Sequence, residues 1–120
     1  MDVGYCRTMA RNPTRAEIGR LGEEIAASFL VERGYRIENR NLNLAGGEID
    51  IVASGPEGHV AFEVKTTSDG ADPTEAVDTR KLDALERAVA SLPVPIRRLD
   101  VIAIRLEPDG AEIRWLRDVS

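Results

Sequence analysis

Cysteine, histidine and lysine are scarce in this chain, and each scarcity narrows what it can do. A single cysteine, Cys6, excludes an internal disulfide and a cysteine-based zinc site. A single histidine, His59, leaves little room for imidazole-bound zinc or Ser-His-Asp chemistry. Only two lysines, Lys65 and Lys81, stand beside 14 arginines, and the net charge is −5. A protein that coats DNA by electrostatics alone is usually basic, so simple coating is disfavoured. An enzyme whose acids hold a cation is not. No apolar run approaches the ~20 residues that span a bilayer. The opening "MDVGYCRTMARNPTR" lacks the apolar centre of a signal peptide. The default expectation is therefore a cytoplasmic protein without a membrane partner.

What is there reads as one domain. The 120 residues carry no internal repeat and no linker long enough to divide them. Residues 1–13 read as a mobile leader, with Met9 as an alternative start, and residues 14–120 as a single domain. Thr14-Arg15-Ala16-Glu17 has the pattern of a capping box. Ile18, Leu21, Ile25 and Phe29 follow at helical spacing, and Gly34 closes the helix. Residues 35–43 read as an irregular strand; 48–53 and 59–66 read as two strands joined by "SGPEG". A second helix starts at Asp72-Pro73 or near Asp78 and carries Leu82, Leu85, Val89 and Leu92 to a stop at Pro93. Residues 97–106 have the apolar centre of a buried strand, and 111–119 form a last strand. The order is α-β-β-β-α-β-β, an α/β fold with a mixed sheet flanked by helices.

Charge inside two of these strands is the informative feature. Alternate strand residues share a face, so Glu48 and Asp50 face one way and Ile49 and Ile51 the other. Glu63 and Lys65 likewise face away from Phe62 and Val64. If the strands pair, three carboxylates and an ammonium converge. Two carboxylates suit Mg²⁺ or Mn²⁺, which prefer oxygen ligands and keep positions open for water and phosphate. A lysine one strand-step away suits a water or a phosphate that gains charge. An acid-x-Lys triplet alone is weak, arising by chance in roughly one chain in three of this composition. Cross-strand Glu–Lys pairs also occur merely for solubility. The preceding Gly-Glu-Ile-Asp segment makes a shared site the better account. Glu23 lies at the edge of the first helix's apolar face and can reach that site or stay in solvent; Glu24 points outward.

The segments "GRLGEEIAASFLVERGYRIENRN", "GGEIDIVA", "FEVKTTS" and "RRLDVIAI" resemble, in this order, the YraN-like family of small bacterial proteins of unassigned function. The resemblance spans residues 15–106. That family is similar to the restriction-endonuclease-like fold, the PD-(D/E)xK nucleases, and especially to Holliday-junction resolvases. The resemblance implies a restriction-endonuclease-like mixed sheet and a Mg²⁺- or Mn²⁺-dependent DNA endonuclease acting on branched or single-stranded DNA, with a homodimer by analogy. It implies Asp50 and Glu63 as metal ligands, Lys65 as the catalytic lysine and Glu23 as the helix-borne acid. Glu48 is then an accessory ligand or a partner that supports the ligands from outside, and Lys81 meets a phosphate. The family often carries an arginine after Glu-Val-Lys, where this chain has Thr66-Thr67-Ser68, and basic or aromatic residues where it has "NLNLAG". Both departures remove phosphate contacts. They leave open an alternative, a non-cleaving nucleic-acid-binding or protein-interaction module on the same fold. Arg36, Arg40, Arg97 and Arg98 could track a DNA backbone but read more readily as a solvated rim, with Arg40 the nucleic-acid candidate among them; Trp115 reads as a packing residue and His59 as an exposed residue opening its strand.

Overall fold

A computed structural model describes residues 13–119. The expected leader, with Cys6 and Met9, lies outside the described residues except for Pro13. Helix α1 (Arg15–Glu32) begins at the capping box: Glu17 N–H donates to Thr14 Oγ1 at 3.1 Å, and Thr14 N–H donates to Glu17 Oε1 at 2.8 Å. It ends where Gly34 takes a φ of 89°, so that Tyr35 N–H can reach back to the Leu30 carbonyl at 3.0 Å. Strands β1 (Arg36–Leu44), β2 (Gly47–Gly55) and β3 (Gly58–Thr67) follow as an antiparallel meander. A 3₁₀ turn (Pro73–Ala76) and helix α2 (Thr79–Val89) then cross to β4 (Ile96–Glu107), which lies parallel to β3, and β5 (Gly110–Leu116) completes the sheet. Both candidate starts of the second helix are used. Asp72 accepts from Thr74 N–H at 2.9 Å to cap the 3₁₀ turn, and Asp78 accepts from Arg80 N–H at 3.0 Å to cap α2.

The strands lie in chain order, β1-β2-β3-β4-β5, with a helix on each face. Ala26 and Leu30 of α1 pack with Ile51, Phe62, Ile102 and Ile104 of the sheet. Leu82 and Leu85 of α2 pack with Ile49, Val52, Leu99 and Val101 on the other face. One sequence expectation fails here. Ile49 and Ile51 belong to opposite cores, not to one face. The β2–β3 ladder runs only from Ile51↔Phe62 to Gly55↔Gly58, so the two strands part ahead of Asp50 and the alternation breaks.

Two local packings bear on the site. A Cβ on Gly22 would lie 1.8 Å from Thr66 Oγ1, so only glycine lets α1 press against β3 beside Lys65. Gly22→Ala is expected to cost about 1–3 kcal/mol in urea unfolding, because a packed backbone must move. On the same face of the sheet, Asp100 is fully buried in β4 and accepts from Arg98 Nε at 3.0 Å, Trp115 Nε1 at 2.8 Å and Asp118 N–H at 2.8 Å. The Arg98 side chain is only 13% exposed, and its Nη1 also pairs with Glu57 at 3.1 Å. Arg98 is therefore a structural anchor rather than a member of a solvated rim. Trp115 packs as expected, with Tyr35 at 5.5 Å and Phe62 at 5.9 Å between ring centres.

Candidate metal centre

The parting of β2 and β3 creates the site. Beyond Ile51 the Val64 N–H has no β2 backbone partner, and the Asp50 carboxylate supplies the acceptor instead, at 2.8 Å. That bond pins Asp50 in the gap between the strands. Glu63 stands beside it on β3, with its side chain 3% exposed. Its Oε2 receives Lys81 Nζ at 2.7 Å and Lys65 Nζ at 3.4 Å. Its Oε1 is buried and has no hydrogen-bond partner among the described residues.

Burial pushes the Asp50 carboxyl from 3.8 up to about 7, with the Glu63 charge adding to the rise and the Val64 N–H opposing it. Such a pair holds either a shared proton or a cation. Between 3.8 and about 7 the folded chain keeps a proton on Asp50 that the unfolded chain has released. Without metal, folding stability should therefore decline as pH rises through that window and level off above it. Asp50→Asn keeps the acceptor for Val64 and turns an amide toward Glu63. It should flatten the decline and raise stability at pH 8 by an amount on the order of 3 kcal/mol, read by urea unfolding across the pH range.

Glu23 and Lys65 line one cleft of about 440 Å³ between α1 and the end of β3, together with Val64 and Thr66. The Glu23 carboxyl is raised, chiefly by burial, with Glu48 adding to the rise and Arg40 opposing it. Glu48 itself is exposed at the start of β2. Among the described residues no three of His, Cys, Asp and Glu gather closely enough to hold an ion. The structure thus assembles Asp50, Glu63 and Lys65 and leaves Glu23 and Glu48 at the margin. The two basic residues assigned to nucleic acid are engaged within the chain: Lys81 with Glu63, and Arg40 with Glu24 at 2.9 Å. The Lys81–Glu63 pair was not foreseen. Its signal is a lysine in the first turn of α2, where the helix dipole disfavours positive charge.

A hard divalent cation fits this donor set. Two neighbouring carboxylates repel each other, one oxygen lacks a partner among the described residues, and both losses are relieved by one ion as well as by one shared proton. Asp50 and Glu63 would hold it, with the charge of Glu23 acting on Asp50 from α1.

Comparison with known proteins places the chain in context. The profile described as "Uncharacterised protein family UPF0102" matches residues 22–104. A UPF0102 protein of Arthrobacter sp. (strain FB24) is 43% identical over 114 residues, covering 86% of this chain and 95% of its own. Another, from Trichlorobacter lovleyi, is 42% identical over 104 residues, covering 79% and 81%. Among solved structures, Pyrococcus furiosus SfsA in complex with Ca²⁺ is similar at a TM-score of 0.36 and 14% identity, over 82% of this chain and 62% of that one. A likeness that slight supports no inference.

Proposed function

The chain belongs to the uncharacterised protein family UPF0102, the YraN-like family its motifs resemble, and on that premise we propose that it is a metal-dependent, resolvase-like DNA endonuclease. The observation that carries the reading is the buried Asp50–Glu63 pair, with an orphaned oxygen and a lysine beside it. A structural ion-pair network alone would have little reason to bury a second acid against Glu63.

When bound, Mg²⁺ or Mn²⁺ would polarise a phosphate oxygen and make a coordinated water more acidic. The chain's own residues do the rest. Asp50 and Glu63 bind, and the Val64 N–H keeps Asp50 aimed. Lys65, which lines the cleft and holds its ammonium 3.4 Å from Glu63, would orient the attacking water or neutralise charge growing on the scissile phosphate. Glu23, across the same cleft, accepts a proton or a water-mediated contact. DNA with branches or single-stranded features is the proposed substrate class, recombination or repair the proposed setting, and a symmetric homodimer in the cytoplasm the proposed form. Paired cuts require two sites.

The test is nicking of a four-way DNA junction and of a linear duplex, with Mn²⁺, Mg²⁺ or a chelator. Metal-dependent cutting that prefers the junction, and is lost in Glu63→Gln, supports the reading. Binding of DNA without cutting in any metal would favour the non-cleaving module. The ion pairs of Lys81 and Arg40 leave less free positive charge for a DNA backbone, whichever reading holds.

A further inference from the structure

We propose that Lys81 is the resident counter-ion of the Asp50–Glu63 site, occupying Glu63 until a divalent cation displaces it. The inference rests on the metal-site reading above and specifies how the site is kept while empty. Three observations support it. The Lys81 ammonium lies closer to Glu63 than Lys65 does, at 2.7 Å against 3.4 Å, and on the same oxygen, Oε2. The two partners differ in freedom: the Lys81 side chain is 45% exposed, whereas that of Glu63 is 3% exposed. Lys81 can therefore withdraw into water with little loss, while Glu63 stays in place. Finally, Lys81 occupies the first turn of α2, which contains no acidic residue and is the end where a cation is unfavourable. Its position is explained by Glu63 rather than by the helix.

A buried carboxylate without a partner is expensive. A tethered ammonium lowers that cost while no metal is present. The same ammonium then competes with an incoming cation by holding an oxygen and by repelling its charge. It follows that Lys81 is not a standing phosphate contact.

The test is Mn²⁺ calorimetry on the full chain as wild type, Lys81→Met and Lys81→Arg. Methionine keeps the stem and removes the charge; arginine keeps the charge. Lys81→Met should bind Mn²⁺ about three- to tenfold more tightly than wild type. Lys81→Arg should remain close to wild type, and added salt should shrink the gap between wild type and Lys81→Met. Equal or weaker binding by Lys81→Met overturns the counter-ion role and leaves the metal site standing. Failure of all three proteins to bind Mn²⁺, with and without a short DNA duplex, overturns the metal site and this inference together. Thermal unfolding of each variant confirms that a folded protein is being measured.

Discussion

Lys65→Met is expected to slow junction cleavage by about 10²- to 10³-fold in single-turnover kinetics, the usual loss when one preorganised donor to a developing anion is removed. Lys65 sits on β3 beside Glu63, a proposed metal ligand, and lines the cleft between α1 and β3. Methionine preserves the side chain's packing, so the loss reports charge. The same variant should still bind Mn²⁺, because both carboxylates remain. Its stability should change by only about 1 kcal/mol, since the pair is long at 3.4 Å and Lys81 still holds the same Glu63 oxygen at 2.7 Å. An unchanged rate would remove Lys65 from the chemistry. A lost metal affinity would make it a positioning residue for Glu63 instead.

Asp100→Ala should have the largest effect on folding, a loss of about 3–5 kcal/mol. Asp100 has no exposed surface, and donors from Arg98, Trp115 and the Asp118 backbone converge on it. Removing the carboxylate strands a nearly buried guanidinium and two N–H groups together. Urea unfolding followed by the fluorescence of Trp115, the sole tryptophan, reads both the loss and the altered indole environment. A loss below about 1 kcal/mol would mean that the network carries little net energy, as some buried ion pairs do.

Local signals were legible in the sequence, and signals that need two distant segments were not. Thr14 and Glu17 announced α1 because a capping box is written within four residues. Asp72 and Asp78 looked like rival starts for one helix, yet each caps its own element, since the backbone becomes extended at Val77 (φ −75°, ψ 119°) and the helix restarts after Asp78. Asp50 and Glu63 were readable as a pair from strand spacing. The reason they meet is different: β2 and β3 separate, and the Asp50 side chain replaces a lost backbone acceptor. Periodicity describes paired strands and is silent on where a ladder stops. The Lys81–Glu63 contact joins a helix to a strand across 18 residues of chain and depends on how α2 lies on the sheet. Arg98 and Asp100 are two apart on β4, so their shared face was predictable; the depth of their burial came from Trp115 on the neighbouring strand.

The central claim is that Asp50 and Glu63 form a divalent-cation site, and Mn²⁺ calorimetry on wild type and Asp50→Asn tests it most directly. The titration belongs at pH 8, above the value of about 7 at which Asp50 loses its proton in the empty site. A short DNA duplex is included in a parallel run, so that phosphate can complete the coordination. The account predicts saturable binding by the wild type and none by Asp50→Asn, even though that variant is the more stable protein without metal. Identical titrations for the two proteins, or no binding by either in both runs, would contradict it and leave the four charges of β2 and β3 as a structural network.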